Sequence, residues 1–430
     1  MGSRTLKLYF VSGIKFPIVI AILIIVIAVD LVHSNINPAG AMKNPLRSSR
    51  NSILLSLLLG LAFAPLARAT SEAPVPIPAE LGKKVVLRYS ELVHKSYVEL
   101  LTTVQVLHKK IDEFVKSPTE SNLKAARDAW KVSRTAYSQT EPFRYYGGPI
   151  DEAKTGVENL VNAWPIDESY IDYVKGSPAA GIINHPREYP SINEQTLLSL
   201  HVKNGEKNIS TGYHAIEFLL WGQDQSLKSA GSRPVADYQP GSKSKNQERR
   251  ALYLKTLAEL LESHLAPLVY AWQPGKAGNY AESFQKEPLN ESLRRIYTGI
   301  TSLSIDEMAG ERMTVALEKN DQENEQDCFS DYTLNDLVSN ENGIRKVYFE
   351  TGLSDLVRTL DPALAKETES RLEAALQELK AIPGTFDQVI VSKPTSPARK
   401  TAMQAISNLE TQARTLAKSG ARMGLILNVQ

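Results

Sequence analysis

His214 and Glu217 stand three residues apart in the stretch Gly212-Tyr213-His214-Ala215-Ile216-Glu217-Phe218-Leu219-Leu220-Trp221. On a helix that step leaves the imidazole and the carboxylate about 60° apart around the axis and ~4.5 Å apart along it, so both can address one ion. Such a pair needs further ligands, and metal centres in helical bundles take theirs from Glu and His on facing helices with this same step. Imidazole with carboxylates suits iron, zinc or manganese. Two plainer arrangements fit the same spacing: an ion pair on a helix surface, or a histidine bonded to a neighbouring helix.

A second constellation is Trp130, Arg134, Tyr137 and Glu141, whose spacing predicts one shared face over three helical turns. A solvated face seldom holds Trp and Tyr in register with Arg and Glu. The four either line a ligand site or pack inward with Arg and Glu paired. The third is Glu307, Glu311 and Arg312, within Asp306 to Met313. It is followed by the acidic tract Asp321-Gln322-Glu323-Asn324-Glu325 and then by Asp327-Cys328-Phe329-Ser330-Asp331. Acidic tracts of this kind are expected to be solvated loops.

Other catalytic signatures are missing. The chain has no His-Glu-x-x-His helix, no Gly-x-Ser-x-Gly elbow, no Gly-rich phosphate loop and no dinucleotide fingerprint. Its one cysteine, Cys328, excludes an intrachain disulfide and a Cys-rich zinc site. The 49 Lys and Arg against 48 Asp and Glu are unevenly placed: residues 1–69 hold seven bases and one acid, leaving 42 bases against 47 acids in the rest. A basic nucleic-acid footprint is therefore not expected.

Helical periodicity positions these groups. Val85, Tyr89, Val93, Tyr97, Leu100, Val104, Leu107, Ile111 and Phe114 predict a long amphipathic helix that ends at Ser117-Pro118-Thr119. A second helix is expected over 121–144, an ordered loop with short helices over 145–190, one helix after Ser191 and one from near Thr211. The second half is expected to hold helices over 249–272, 289–317, 361–382 and 396–416, with Val389 to Val391 as the one short β-branched run. The stretch 223–247 is the most linker-like. The fold expected is all-α, two tandem helical bundles over 70–241 and 242–430.

Residues 1–69 form an apolar leader. Arg47 and Arg50, the apolar run Ile53 to Ala64 and Ala67-Arg68-Ala69 follow the order of a secretory signal peptide, cut after Ala69. The first apolar run, Ile18 to Val29, is shorter than the ~20 residues of a membrane span. Met42 as the true initiator leaves a complete signal peptide. The protein is expected in the periplasm or cell envelope, and anchored at the inner membrane if the first apolar segment is retained.

Taken in order, these stretches resemble the imelysin family, also called the imelysin peptidase family, and within it the iron-regulated protein A branch. Gly212-x-His214-x-x-Glu217 matches the family signature. Arg127 to Trp130, Tyr137 to Arg144, Gly148-Pro149-Ile150 and Asn162 to Pro165 resemble the branch's first half, and Glu307 to Met313 with Cys328 to Asp331 its second. The similarity runs from Ala79 to Leu416. It implies two helical bundles with the His-x-x-Glu helix near the cleft between them, and an exported or envelope-associated bacterial protein of iron uptake. It also implies a peptidase label, carried by the founding insulin-cleaving member. Gln326 and Leu334 stand where the branch carries histidines, which counts against a metal role for that tract.

The expected function is iron acquisition by binding a metal ion, iron before zinc, or a metal complex, with inner-membrane iron-transport components as the partner class. The expected ligands are His214, Glu217, Glu141 and Glu307, supported by Trp130, Arg134, Tyr137, Gly212 and Arg312. A metallopeptidase is the alternative, and an envelope scaffold without a metal is the third reading.

Overall fold

The first long helix, α1 (Ala79–Lys116), forms because its apolar residues recur every three to four positions along its whole length, and that stripe from Val85 to Phe114 is buried. The computed structural model describes residues 73–427, so the signal peptide, the Met42 start and the rest of the leader lie outside the described residues. Helix α2 (Glu120–Ser138) opens at Thr119, whose hydroxyl accepts the Asn122 amide at 3.2 Å, and packs back along α1. It stops six residues short of the expected end. Pro142 supplies no amide and disfavours helical backbone at Glu141, so 141–143 form a separate 3-10 turn. Glu141 therefore does not continue the face of Trp130, Arg134 and Tyr137.

The expected loop with short helices follows, containing α3 (Glu158–Asn162) and α4 (Glu168–Ile171). Next come α5 (Glu194–Leu200), α6 (Tyr213–Trp221) and α7 (Gln247–Ala271). Helix α7 packs along α1 and against α6, so by packing it belongs with the first group of helices. The linker-like stretch before α7 is tied down. Arg127 donates to the carbonyls of Leu220 and Arg233, Tyr238 donates to the Leu219 carbonyl at 2.6 Å, and Arg233 and Arg250 both grip the buried Asp172.

The second group comprises α8 (Tyr280–Lys286), α9 (Leu289–Ser302), α10 (Val315–Lys319), α11 (Thr333–Glu350), α12 (Leu353–Leu360), α13 (Pro362–Ala381), α14 (Phe386–Ile390) and α15 (Pro397–Arg422). The fold is all-α: no sheet forms among the described residues, and the Val389 run lies at the end of α14. The helix expected over 289–317 is continuous, but Leu303–Thr314 within it is wound as a π-helix. Residues 333–360, with no expected element, form α11 and α12. Helix α11 packs on α2 and on the 141–143 turn, which joins the two bundles. No helix among the described residues is long and apolar enough to cross a membrane.

Gly299 on α9 lies against the carbonyl of Pro142, which a Cβ would strike, so Gly299→Ala should lower stability by about 2 kcal/mol. Chemical denaturation with an unchanged m-value would check this. On α11, burial pushes the Glu341 carboxyl up to about 8, although Gln412 donates to it at 2.8 Å. The folded state then holds a proton that the unfolded chain releases near pH 4.5, so this group makes stability fall as pH rises from there to about 8. Glu341→Gln should remove that part of the decline in melts across the same range.

Candidate metal centre

Helix α6 is buried at all nine of its positions, from Tyr213 to Trp221. A helix apolar on every side has to be enclosed by others, and its two polar residues, His214 and Glu217, are enclosed with it. Glycine sets both ends. Gly212 takes φ +94°, and a Cβ there would lie 2.7 Å from the Val161 carbonyl oxygen of α3. Helix α2 grips the start of α6: Trp130 Nε1 donates to the Tyr213 carbonyl at 3.0 Å, and Ser133 and Tyr213 share a hydroxyl bond of 2.7 Å. Tyr137 packs its ring on Tyr213, and the Arg134 guanidinium lies 5.4 Å from both ring centres.

The His214 Nδ1 sits 3.2 Å from Glu217 Oε2 and 3.5 Å from Asp327 Oδ1. One donor atom from each of His214, Glu217 and Asp327 lies within 4.8 Å of the others, and all three side chains are buried. The spacing of His214 and Glu217 thus places them together. Glu217 Oε1 is held by Ser330, which donates its amide at 2.9 Å and its hydroxyl at 2.7 Å. Arg134 donates to Asp336 at 2.5 Å and lies 3.4 Å from Asp327. The donors span the junction: α6 and α2 come from the first bundle, Asp327, Ser330 and Asp336 from the loop before α11 and from α11 itself.

Burial shapes the electrostatics. It drives the His214 imidazole well below its usual value, helped by Arg134 and Arg312, so the ring is neutral with a free lone pair. It pushes the Glu217 carboxyl up to about 8 and Asp327 up to about 6. His214 Nε2 and both oxygens of Asp327 meet no hydrogen-bond partner. Buried polar atoms left this way are costly. With Arg134 set against Asp336, a divalent cation that displaced the Glu217 proton would be balanced by the two negative charges of Glu217 and Asp327. The residues present fit a metal ion of the iron, zinc or manganese type.

Glu141 and Glu307 do not join this group. Both belong to Arg312, which is buried: its Nη2 lies 2.7 Å from Glu141 Oε1 and 2.9 Å from Glu307 Oε1. Glu141 also accepts from Arg144 at 2.7 Å and from Asn340 at 2.6 Å. Burial opposes its ionisation, but Arg312 and Arg144 outweigh that and hold the carboxyl down at about 2. With its oxygens occupied by arginines and an amide, Glu141 is a structural counter-ion, which corrects the expected ligand role. The π-helix explains Glu307. Five residues make roughly one π turn, so Glu307 and Arg312 meet on one face, which an α-helix would not allow. Glu311, on the same segment, is exposed.

The expectation of a solvated acidic tract holds for Asp321 to Asn324, which are exposed or half-buried, and fails beyond them. Asp327 and Glu325 are buried, not solvated, and Asp327 supplies the third donor. Gln326, where a histidine was expected, is buried with an unpartnered Oε1, and Leu334 is packed against the core. The available signal for Asp327 was the apolar pair Cys328-Phe329 among the acids, since Phe329 packs at a tilt on Phe218 of α6 with ring centres 5.2 Å apart and carries its neighbours inward.

A histidine and two carboxylates held between two helical bundles define an all-α protein with a cation-type donor set. The chain belongs to the imelysin family, whose model matches residues 93–416. It is 25% identical over 336 residues to an iron-regulated protein A of Synechococcus elongatus, covering 74% of this chain and 80% of that one. Its fold is shared by the crystal structure of an iron-regulated protein A precursor from Parabacteroides distasonis, with TM-score 0.63 and 17% identity over 81% of this chain and 96% of that chain.

Arg312→Met should destabilise the protein by about 3–5 kcal/mol, because it strands the Glu141 carboxylate in the interior. Adding Glu141→Gln should recover part of the loss in a denaturation experiment, whereas additive losses would contradict the pairing.

Proposed function

We propose that the protein binds a divalent metal ion through His214, Glu217 and Asp327, and that it serves iron acquisition at the cell envelope. The observation that carries the reading is the convergence of three buried donor groups, a neutral imidazole and two carboxylates, with both Asp327 oxygens lacking a hydrogen-bond partner. The similarity to proteins named for iron regulation favours iron over zinc. Arg134 and Ser330 orient the two carboxylates, the first through charge and the second through two hydrogen bonds to Glu217. Delivery to inner-membrane transport components and export by the leader complete the reading.

The peptidase alternative asks for more than this site offers. A peptidase needs a groove for an extended backbone and an open position for water beside its metal. His214, Glu217 and Asp327 are enclosed, and the cavity of about 460 Å³ at the end of α6 is lined by Tyr173, Lys175, Trp221, Gln223 and Arg233 and by none of the three. Binding of a small ion fits an enclosed donor set better than cleavage of a chain does.

Calorimetric titration of chelator-stripped protein with ferrous iron should give one strong site per chain. His214→Ala and Asp327→Asn should each weaken it by at least about tenfold, and the double variant by less than the product, because the first loss dismantles the site. Ferrous affinity unchanged in both variants would refute the assignment.

A further inference from the structure

Three aspartates away from His214 meet where three segments of the chain converge. Asp224 follows α6, Asp331 follows the loop that carries Asp327 and Ser330, and Asp387 lies in α14; one carboxylate oxygen of each is within 4.8 Å of the others. Asp387 is completely buried. Its Oδ1 is held by the Thr385 hydroxyl and by the Gln388 amide at 2.6 Å, yet its Oδ2 has no partner. The Oδ1 of Asp331 is likewise buried and unpartnered. Asp224 accepts the Ser226 amide at 2.9 Å and the Gln322 side chain at 3.3 Å.

Among the described residues, none of these three carboxylates forms an ion pair with a lysine or arginine within 4.0 Å. The cation that acts on Asp331 is Lys131, but its ammonium lies over the rings of Trp221 and Tyr332, 5.8 Å and 5.5 Å from their centres. Burial and mutual repulsion push Asp224 up to about 6 and Asp331 up to about 7. Three acids brought together this way, one of them fully desolvated with a free oxygen, cost the fold unless a positive ion sits among them. The donor set is oxygen only. It has no imidazole and no thiol, so it favours a hard ion over zinc or copper. Calcium accepts six to eight oxygens in flexible geometry, and the half-buried faces of Asp224 and Asp331 leave room for water to complete the shell.

We infer that Asp224, Asp331 and Asp387 form a second cation site, for a hard divalent ion of the calcium class, which ties the 327–331 loop to the end of α6 and to α14. This site is independent of the iron site in chemistry, although it secures the loop that presents Asp327 and Ser330 to Glu217 and His214. The backbone already begins that connection, since the Gly231 amide donates to the Phe329 carbonyl at 2.9 Å.

The test uses full-length mature protein stripped with chelator and carrying His214→Ala, so that failure of the iron site cannot be mistaken for failure of this one. Calorimetry with calcium chloride should show one ion per chain with a dissociation constant on the order of 10⁻⁴ to 10⁻³ M, the range of extracellular modules. Millimolar calcium should also raise the melting temperature by a few degrees, as expected for a ligand bound only by the folded state. Asp224→Asn and Asp331→Asn, at half-buried positions where circular dichroism can verify folding, should each weaken calcium binding at least about tenfold and abolish the thermal shift. Absence of calcium heat and thermal shift in the His214→Ala protein would overturn the proposal. So would equal calcium affinity in the two aspartate variants, or an equal thermal shift from the same concentration of magnesium.

Discussion

Two arginines buried without any exposure, Arg134 and Arg312, decide where Glu141, Glu307 and Asp336 go and how far Asp327 is shared. A guanidinium cannot shed its proton, so each must find acids in the interior or the fold fails. Arg312 takes Glu141 and Glu307, and Arg134 takes Asp336 and leans on Asp327. What remains after those pairings is His214, Glu217 and one weakly shared Asp327. The metal-type donor set is the part of the acidic and imidazole groups around Arg134 that the two arginines do not satisfy.

Backbone devices put those charges within reach. The π-wound stretch of 303–314 brings Glu307 under Arg312, and the 3-10 turn at Pro142 swings Glu141 out of line with α2 and across to α11. Gly212 lets α6 start against the α3 backbone, so that His214 and Glu217 point toward the second bundle rather than toward solvent. A Cβ at 212, a straight α-helix over 303–314 or an uninterrupted α2 would each move one partner of the network away from the other.

The helical fold and the His214–Glu217 pair are legible in the sequence because both rest on local periodicity. The stripe of α1 and the i, i+3 step survive whatever surrounds them. Helix α11 is not legible for the opposite reason: it buries Asp336, Ser339, Asn340 and Glu341 alongside Leu337 and Ile344, so polar residues occupy its inward face and blur the apolar rhythm. Asp327 is hidden in the same way, since an acid among acids reads as solvated until Phe329 is seen to anchor it. Glu141 and Glu307 look like ligands on spacing, but no spacing reveals that Arg312, contributed by another segment, has already engaged both.

The central claim is that the donors left over by the arginines hold a metal ion. An anomalous-scattering map measured at the iron absorption edge, from crystals of the protein loaded with ferrous iron, tests it most directly. The account predicts one strong peak enclosed by His214, Glu217 and Asp327, at about 2.0–2.2 Å from their donor atoms, a range typical of first-row metals with N and O ligands. A map with no peak there, with the His214 ring still facing Glu217 and Asp327, would contradict it.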